Sequence, residues 1–132
     1  MDPEIERATI LAFFKPKRRA RYLELIERAK GRRKLTDQLA HFRELDERYK
    51  RDLPKGLNRW EMVADLLSHR GAPRTCYVIS EDRALDGATM ELTVALNAVY
   101  GRGMGTIVSC VPGKLAYYEG EYADESCILE HQ

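Results

Sequence analysis

A break at Gly71, Ala72 and Pro73 divides the chain into two halves with different residue patterns. Before the break, apolar residues recur at helical spacing. After it, short runs of β-branched and aromatic residues are separated by turn signals. A chain of 132 residues has the usual length of one domain. We therefore predict a single α+β domain, with helices in residues 1–71 packed on a small β-α-β-β sheet in residues 72–132.

The first half carries start and stop signals for several helices. Asp2 before Pro3 predicts a helix start, because the carboxylate can accept free backbone amides and proline suits the first helical position. This helix is expected to end near Phe13, although residues 9–14 also fit a strand. A second helix is predicted between Pro16 and Gly31, and a third is indicated by helical spacing at Leu35, Leu39 and Phe42.

A fourth helix has the most consistent signals. Asn58 and Glu61 have the spacing of a capping box. Gly71 marks the expected end of the helix. Between these signals, one apolar stripe is formed by Trp60, Val63, Ala64 and Leu67.

The second half predicts three or four strands and one helix. Residues 75–79 are rich in β-favouring side chains and predict a central strand, and residues 106–111 and 115–119 predict an antiparallel pair. Proline followed by glycine between that pair suits a type II turn. Tight two-residue hairpins prefer the mirror-image turn types instead, so we expect a longer or bulged connection. Residues 127–129 fit a short edge strand. The helix is indicated by a stripe of Leu92, Ala95, Leu96 and Val99.

Charge is distributed unevenly along the chain. Residues 1–60 contain 17 Lys/Arg and 10 Asp/Glu, a net charge of +7, whereas residues 61–132 contain 5 and 11, a net charge of −6. The strongest basic cluster lies in residues 15–34. Its predicted binding residues are Lys17, Arg18, Arg19, Arg21, Arg32, Arg33 and Lys34.

Three interpretations of this basic cluster are open. Clustered cations on helix ends bind phosphates and release counterions, which is typical of nucleic-acid binding. The same side chains also fit a solvated helix face with Glu24 and Glu27 at neighbouring positions. Finally, arginines can hold carboxylates of the chain's own acidic half. No recognisable nucleic-acid-binding motif accompanies the cluster, so a protein partner or self-association ranks ahead of nucleic acid.

A candidate pocket comes from two segments of the second half. The loop of residues 80–87 lies between a predicted strand and a predicted helix, where α/β proteins often place ligand-binding groups. Its serine and carboxylates also suit a structural turn. Combined with the hairpin of residues 109–119, the predicted pocket residues are Ser80, Asp82, Asp86, Cys110, Lys114, Tyr118 and Glu119.

Metal and cofactor sites lack support in the sequence. No His, Cys, Asp or Glu residues have the spacing of zinc or EF-hand ligands. Gly101, Gly103 and Gly105 follow a helix and precede a strand, the reverse of nucleotide-binding order, so we interpret them as a helix end and connection. We expect no metal and no cofactor.

Cysteine usage and hydropathy predict a cytoplasmic protein. Cys76, Cys110 and Cys127 are odd in number and lie in apolar contexts, which predicts buried free thiols. No apolar run approaches the roughly 20 residues of a membrane span, and the N-terminal pattern differs from a secretory signal. We expect no membrane association.

The leading functional hypothesis is a non-enzymatic binding or regulatory module that uses its basic helical face for a protein or nucleic-acid partner. The competing hypothesis is a small enzyme or ligand-binding domain, with a polar site at residues 80–86 and the hairpin of residues 109–119.

Overall fold

The protein is built around a six-stranded antiparallel sheet, described here for residues 1–131 in a computed structural model. The strand order is β1-β6-β5-β4-β2-β3. The strands are β1 (Lys50–Asp52), β2 (Thr75–Ser80), β3 (Thr89–Glu91), β4 (Thr106–Val111), β5 (Leu115–Glu119) and β6 (Cys127–Glu130). The α-helices are α1 (Pro3–Phe13), α2 (Arg19–Leu25), α3 (Ala29–Thr36), α4 (Trp60–His69) and α5 (Leu92–Val99). The mixed α+β class is confirmed.

Helices cover both faces of the sheet. Because side chains alternate along a strand, Tyr77 and Ile79 of β2 pack with the layer formed by α1, α2 and α3. Cys76 and Val78 face the opposite layer, formed by α4 and α5. The sheet therefore separates two apolar cores. We predicted that the helices of residues 1–71 pack on the sheet, and they do so on both faces, because α4 packs beside α5 and not beside α1, α2 and α3.

An aromatic cluster joins the N-terminal helices to each other. The ring of Phe14 meets Tyr22 edge-on at 5.1 Å between centroids and lies 4.9 Å from Phe42. All three side chains are buried. Such aromatic pairs contribute beyond their buried area, so this cluster fixes α2 against the chain on either side of it.

The start of α1 is confirmed, but the predicted boundary at Gly31 is wrong. Asp2 caps α1 by accepting from the Ile5 amide at 3.2 Å. Gly31 lies inside α3, after a break between α2 and α3 at residues 26–28. A Cβ atom at Gly31 would lie 2.4 Å from the Leu25 carbonyl oxygen. This glycine is therefore explained by the close approach of two helices.

The predicted cap of α4 and the predicted strand count also need correction. The N-cap of α4 is Arg59, and no side chain caps it, so Asn58 and Glu61 form no capping box. Strands β1 and β3 were missed. Each has only three residues, and β1 reads Lys-Arg-Asp. Such short edge strands carry no alternating apolar signal, because their outer sides meet solvent.

The β4–β5 hairpin has the irregular connection expected from its sequence. The register shifts between Ser109 and Val111, and Val111 pairs with Leu115 across the turn. Gly113 has a φ of 71°, which favours glycine. None of the helices formed within residues 1–131 combines the length and apolar character needed to cross a membrane.

Candidate functional site

Several of the predicted binding arginines are paired within the protein. One of them, Arg19, donates from Nε to the Phe14 carbonyl oxygen at 3.0 Å, which ties the start of α2 to the end of α1. These arginines therefore contribute less to an external binding surface than the sequence indicates. The ion pairs are Arg18 Nε with Glu44 Oε2 at 2.9 Å, Arg19 Nη2 with Asp46 Oδ2 at 3.9 Å and Arg33 Nε with Asp37 Oδ1 at 3.5 Å.

Arg32 lies inside the protein, with only 7% of its surface exposed. Its Nε and Nη2 donate to Glu6 of α1 at 2.9 and 2.8 Å, and Nη2 also donates to Asp86 Oδ1 at 2.8 Å. Its Nη1 contacts the other Asp86 oxygen. Burial opposes the guanidinium charge, but the hydrogen bonds to Asp86 and Glu6 outweigh it and raise the pKa of Arg32. This side chain crosslinks the helix layer to the loop after β2 and is not a surface residue.

Tyr77 completes the buried cluster around Arg32. Its hydroxyl donates to Glu6 Oε2 at 2.5 Å and accepts from the Asp2 amide at 3.0 Å. Burial, followed by the hydrogen bond to Glu6, raises the pKa of Tyr77 to about 12. The hydroxyl therefore stays protonated and holds Glu6 toward the guanidinium.

Five of the remaining cations are exposed on and around α2 and α3. Within residues 1–131, these five make no ion pair and no side-chain hydrogen bond. Glu24 and Glu27 lie among them, and a shallow depression of about 360 Å³ separates α2 from α3 there. We call this group the basic surface, and its members are Lys17, Arg21, Arg28, Lys30 and Lys34. Lys17, Arg21 and Lys34 belong to the predicted binding set.

The predicted pocket residues do not come together in one cavity. Ser80 and Asp86 join through a hydrogen bond from the Ser80 amide to Asp86 Oδ1 at 3.0 Å. Asp82 Oδ1 accepts from the Ala84 amide at 3.0 Å, as in a structural turn. Lys114 lies in the β4–β5 turn, at the opposite end of β4 from the residues that pair with Ser80.

Two further members of that predicted pocket are buried in different layers. Tyr118 faces the N-terminal helices and donates to the Leu39 carbonyl oxygen at 2.5 Å. Cys110 packs with the layer of α4 and α5, where burial raises the pKa of its thiol to about 12. A nucleophilic cysteine needs a lowered pKa, so the surroundings of Cys110 do not activate it.

Glu119, also in the predicted pocket, occupies an unusual site at the end of β5. Its exposed fraction is 3%, and three groups donate to its carboxylate. The Gly101 amide and the Tyr117 hydroxyl reach Oε1 at 3.0 and 2.8 Å, and the Gly103 amide reaches Oε2 at 3.0 Å. Gly101 and Gly103 have φ values of 76° and 69°. The glycine-rich loop that we interpreted as a connection therefore wraps an internal carboxylate.

A cavity of about 400 Å³ opens beside Glu119. Apolar and aromatic walls come from the segment after β1 and from the end of α5, and two further carboxylates lie at residues 121 and 124. Glu121 also contacts His41. No group of three or more His, Cys, Asp or Glu within residues 1–131 is arranged to hold a metal ion. The lining side chains include Leu53, Leu57, Tyr100, Tyr117, Glu119, Glu121 and Asp124.

Sequence patterns indicated Glu119 but not its cavity. The local signal was the run of three alternating glycines between α5 and β4, and their carboxylate partner lies at the end of β5. Comparisons with protein-family models, curated proteins and solved structures find no match to this chain. The basic surface and the Glu119 cavity are therefore the two features of the structure that bear on function.

Proposed function

We propose that this protein is a non-enzymatic binding or regulatory module that engages an acidic segment of a protein partner through the basic surface. One observation supports this function above the others. Five exposed cations on and around α2 and α3 make no ion pair within residues 1–131, although the nearby arginines are paired. Exposed unpaired charge of one sign attracts partners of opposite charge and speeds their association.

A protein partner fits this surface better than nucleic acid does. Glu24 and Glu27 are exposed among the cations, and each would repel the uniformly anionic phosphate backbone. A protein segment can place its own cations opposite these glutamates and its carboxylates opposite Arg28 and Lys30. A second copy of the chain is one such partner, because Asp124 and neighbouring acidic residues are exposed near the end of the sheet.

The same proposal includes a binding role without catalysis and a location in the cytoplasm. The polar residues of the candidate enzyme pocket are dispersed between the loop after β2 and both faces and both ends of the β4–β5 hairpin. Cys76, Cys110 and Cys127 are buried free thiols, as suits a reducing compartment.

Fluorescence anisotropy with a labelled short peptide that is rich in glutamate and carries interspersed lysines tests this function. We expect salt-sensitive binding that weakens about tenfold in the triple variant Arg28→Ala, Lys30→Ala, Lys34→Ala, because three charge pairs are lost. The matched control removes three exposed cations elsewhere, in Lys55→Ala, Arg59→Ala, Arg102→Ala.

Three outcomes would count against the proposal. Equal weakening in both triple variants would show a response to net charge alone. Binding of labelled duplex DNA in preference to the peptide would favour the nucleic-acid hypothesis. If the wild-type protein fails to bind the peptide at low salt and sediments as a monomer at all concentrations, the basic surface has neither proposed type of partner.

A further inference from the structure

Glu119 differs from the other buried carboxylates because it has no cationic partner within residues 1–131. Glu6 and Asp46 are also buried, but Glu6 pairs with Arg32 at 2.8 Å, and Asp46 pairs with Arg48 at 2.7 Å. Buried charges are normally paired, since an uncompensated charge loses its hydration. The hydrogen bonds from two amides and one hydroxyl orient the Glu119 carboxylate, but they supply dipoles and no full positive charge.

The hydroxyl next to Glu119 keeps its proton. Burial, together with the charge of Glu119, raises the pKa of Tyr117. Tyr117 therefore acts as a donor to Oε1. Oε1 accepts two hydrogen bonds and Oε2 accepts one, which leaves acceptor capacity at Oε2.

Among the described residues 1–131, no positively charged side chain lines the cavity beside Glu119. Leu53, Leu57 and Tyr100 give it apolar and aromatic walls, while Glu121 and Asp124 add negative charge. Its volume of about 400 Å³ falls within the range of about 300–1,000 Å³ that is typical of small-molecule sites. The cavity therefore suits a small ligand that has both a positive charge and an apolar body.

We propose that this cavity binds an aliphatic primary ammonium group, with its nitrogen at Glu119 Oε2 and its alkyl chain against Leu53, Leu57 and Tyr100. A compact ammonium donor needs one acceptor oxygen, whereas a guanidinium fork needs both oxygens of a carboxylate. Oε1 is already occupied by Gly101 and Tyr117, which excludes the bidentate fork. A bare metal ion would gain nothing from the apolar walls and would need several oxygen ligands.

Heteronuclear NMR titration with n-butylammonium tests this site. The amides of Gly101 and Gly103 donate to Glu119, so we expect their resonances to shift in a saturable manner. n-Butanol and n-butylguanidinium at the same concentration and ionic strength serve as probes without the ammonium group. We expect them to shift these amides at least about tenfold less, since neither offers a compact charge-assisted donor.

Two variants separate binding from folding. Glu119→Gln should weaken n-butylammonium binding at least about tenfold, because it removes the central charge. Asp124→Asn changes an exposed cavity residue and should weaken binding by a smaller factor in a folded protein. Asp65→Asn, an exposed carboxylate on α4, is the control and should leave binding unchanged.

The source of the ammonium group is distinguished by a second probe, N-acetyl-lysine methylamide. Tighter binding of this blocked lysine identifies a protein lysine as the ligand, and tighter binding of n-butylammonium identifies a free amine. The proposal is overturned if n-butylammonium leaves both glycine amides unshifted, if n-butylguanidinium binds equally well, or if Asp124→Asn and Asp65→Asn behave alike. The triple variant of the basic surface should bind n-butylammonium normally, so this proposal fails independently of the proposed function.

Discussion

Arg32 and Glu119 are buried charges on opposite faces of the same sheet, and their surroundings differ. Arg32 lies under the N-terminal helices between two carboxylates, and Tyr77 orients one of them. Glu119 lies on the side of α4 and α5, and the part of the chain that the structure describes gives it only dipolar donors. In the Arg32 cluster, the chain itself supplies the opposite charges. The Glu119 site borders a cavity.

This contrast separates two uses of buried charge. A charge matched within the fold crosslinks distant segments, as Arg32 does between α1, α3 and the loop after β2. A charge oriented without a counter-ion keeps its attraction for a group from outside. The same distinction applies to the arginines of residues 15–34, where internal pairs support the fold and the basic surface remains available to a partner.

The largest expected effect is the loss of the Arg32 crosslink. Arg32→Met leaves Glu6 and Asp86 buried without their cation, and breaking a buried pair in this way costs about 3–5 kcal/mol. Urea denaturation should show this decrease in the free energy of unfolding. Arg28→Met, on the basic surface, is the matched control and should change stability little. A loss below about 1 kcal/mol for Arg32→Met would contradict the role of Arg32 as the buried counter-ion of Glu6 and Asp86.

A smaller effect is expected at Glu119. Tyr117→Phe removes a hydroxyl that donates to a charged acceptor, so we expect a loss of about 2 kcal/mol in the free energy of unfolding. Tyr100→Phe is the control, because the Tyr100 hydroxyl reaches only the Leu57 carbonyl oxygen at 3.5 Å. Equal effects of the two substitutions in urea denaturation would mean that Tyr117 does not stabilise the Glu119 charge.

The three cysteines extend the comparison of buried groups, because they are buried in the uncharged thiol form. Burial raises the pKa of Cys76 and Cys127 to about 11 and that of Cys110 to about 12. At neutral pH we expect an aromatic disulfide reagent to label the folded protein far more slowly than the urea-unfolded protein. Rapid labelling of the folded protein at neutral pH would contradict this burial.

These thiols also predict a pH dependence of stability. A pKa raised by folding stabilises the folded state fully below the ordinary thiol pKa of 9.0, and this contribution is lost as the pH rises toward about 12. The Cys110→Ser variant should therefore lose less stability than the wild-type protein as the pH rises into the alkaline range. An unchanged pH profile of urea denaturation in that variant would exclude Cys110 as a contributor.

The smallest effect is expected on the basic surface. Lys30→Ala removes an exposed, unpaired cation, so the free energy of unfolding should change by no more than about 0.5 kcal/mol. Thermal and urea denaturation both measure this change. A larger loss would show that the basic surface is held within the fold, and the contrast with Arg32 would disappear.

Local patterns predicted the elements whose signals are contained in a few neighbouring residues. The cap at Asp2, the stripe of α4 and the bulged hairpin near Gly113 are of this kind. The role of Arg32 was not predictable, because Glu6 and Asp86 lie 26 and 54 positions away. Arg32 shares a helix face with the buried Leu35 and Thr36, but that spacing identifies no carboxylate partner.

The Glu119 site shows the same limit. The carboxylate lies 18 positions from Gly101 and 16 from Gly103. A glycine-rich connection between a helix and a strand fits many conformations, and only the pairing of β4 with β5 selects the one that encloses Glu119. Strand β1 was likewise missed, because its three charged residues gain strand character from β6.

The two outermost strands of the sheet, β1 and β3, span only three residues each. A foreign strand laid along either edge would find few unsatisfied backbone groups, and at β1 it would also meet Lys50 and Arg51. Association through sheet extension is therefore disfavoured, so the partners that we propose would meet the helical layers and the cavity at the end of β5.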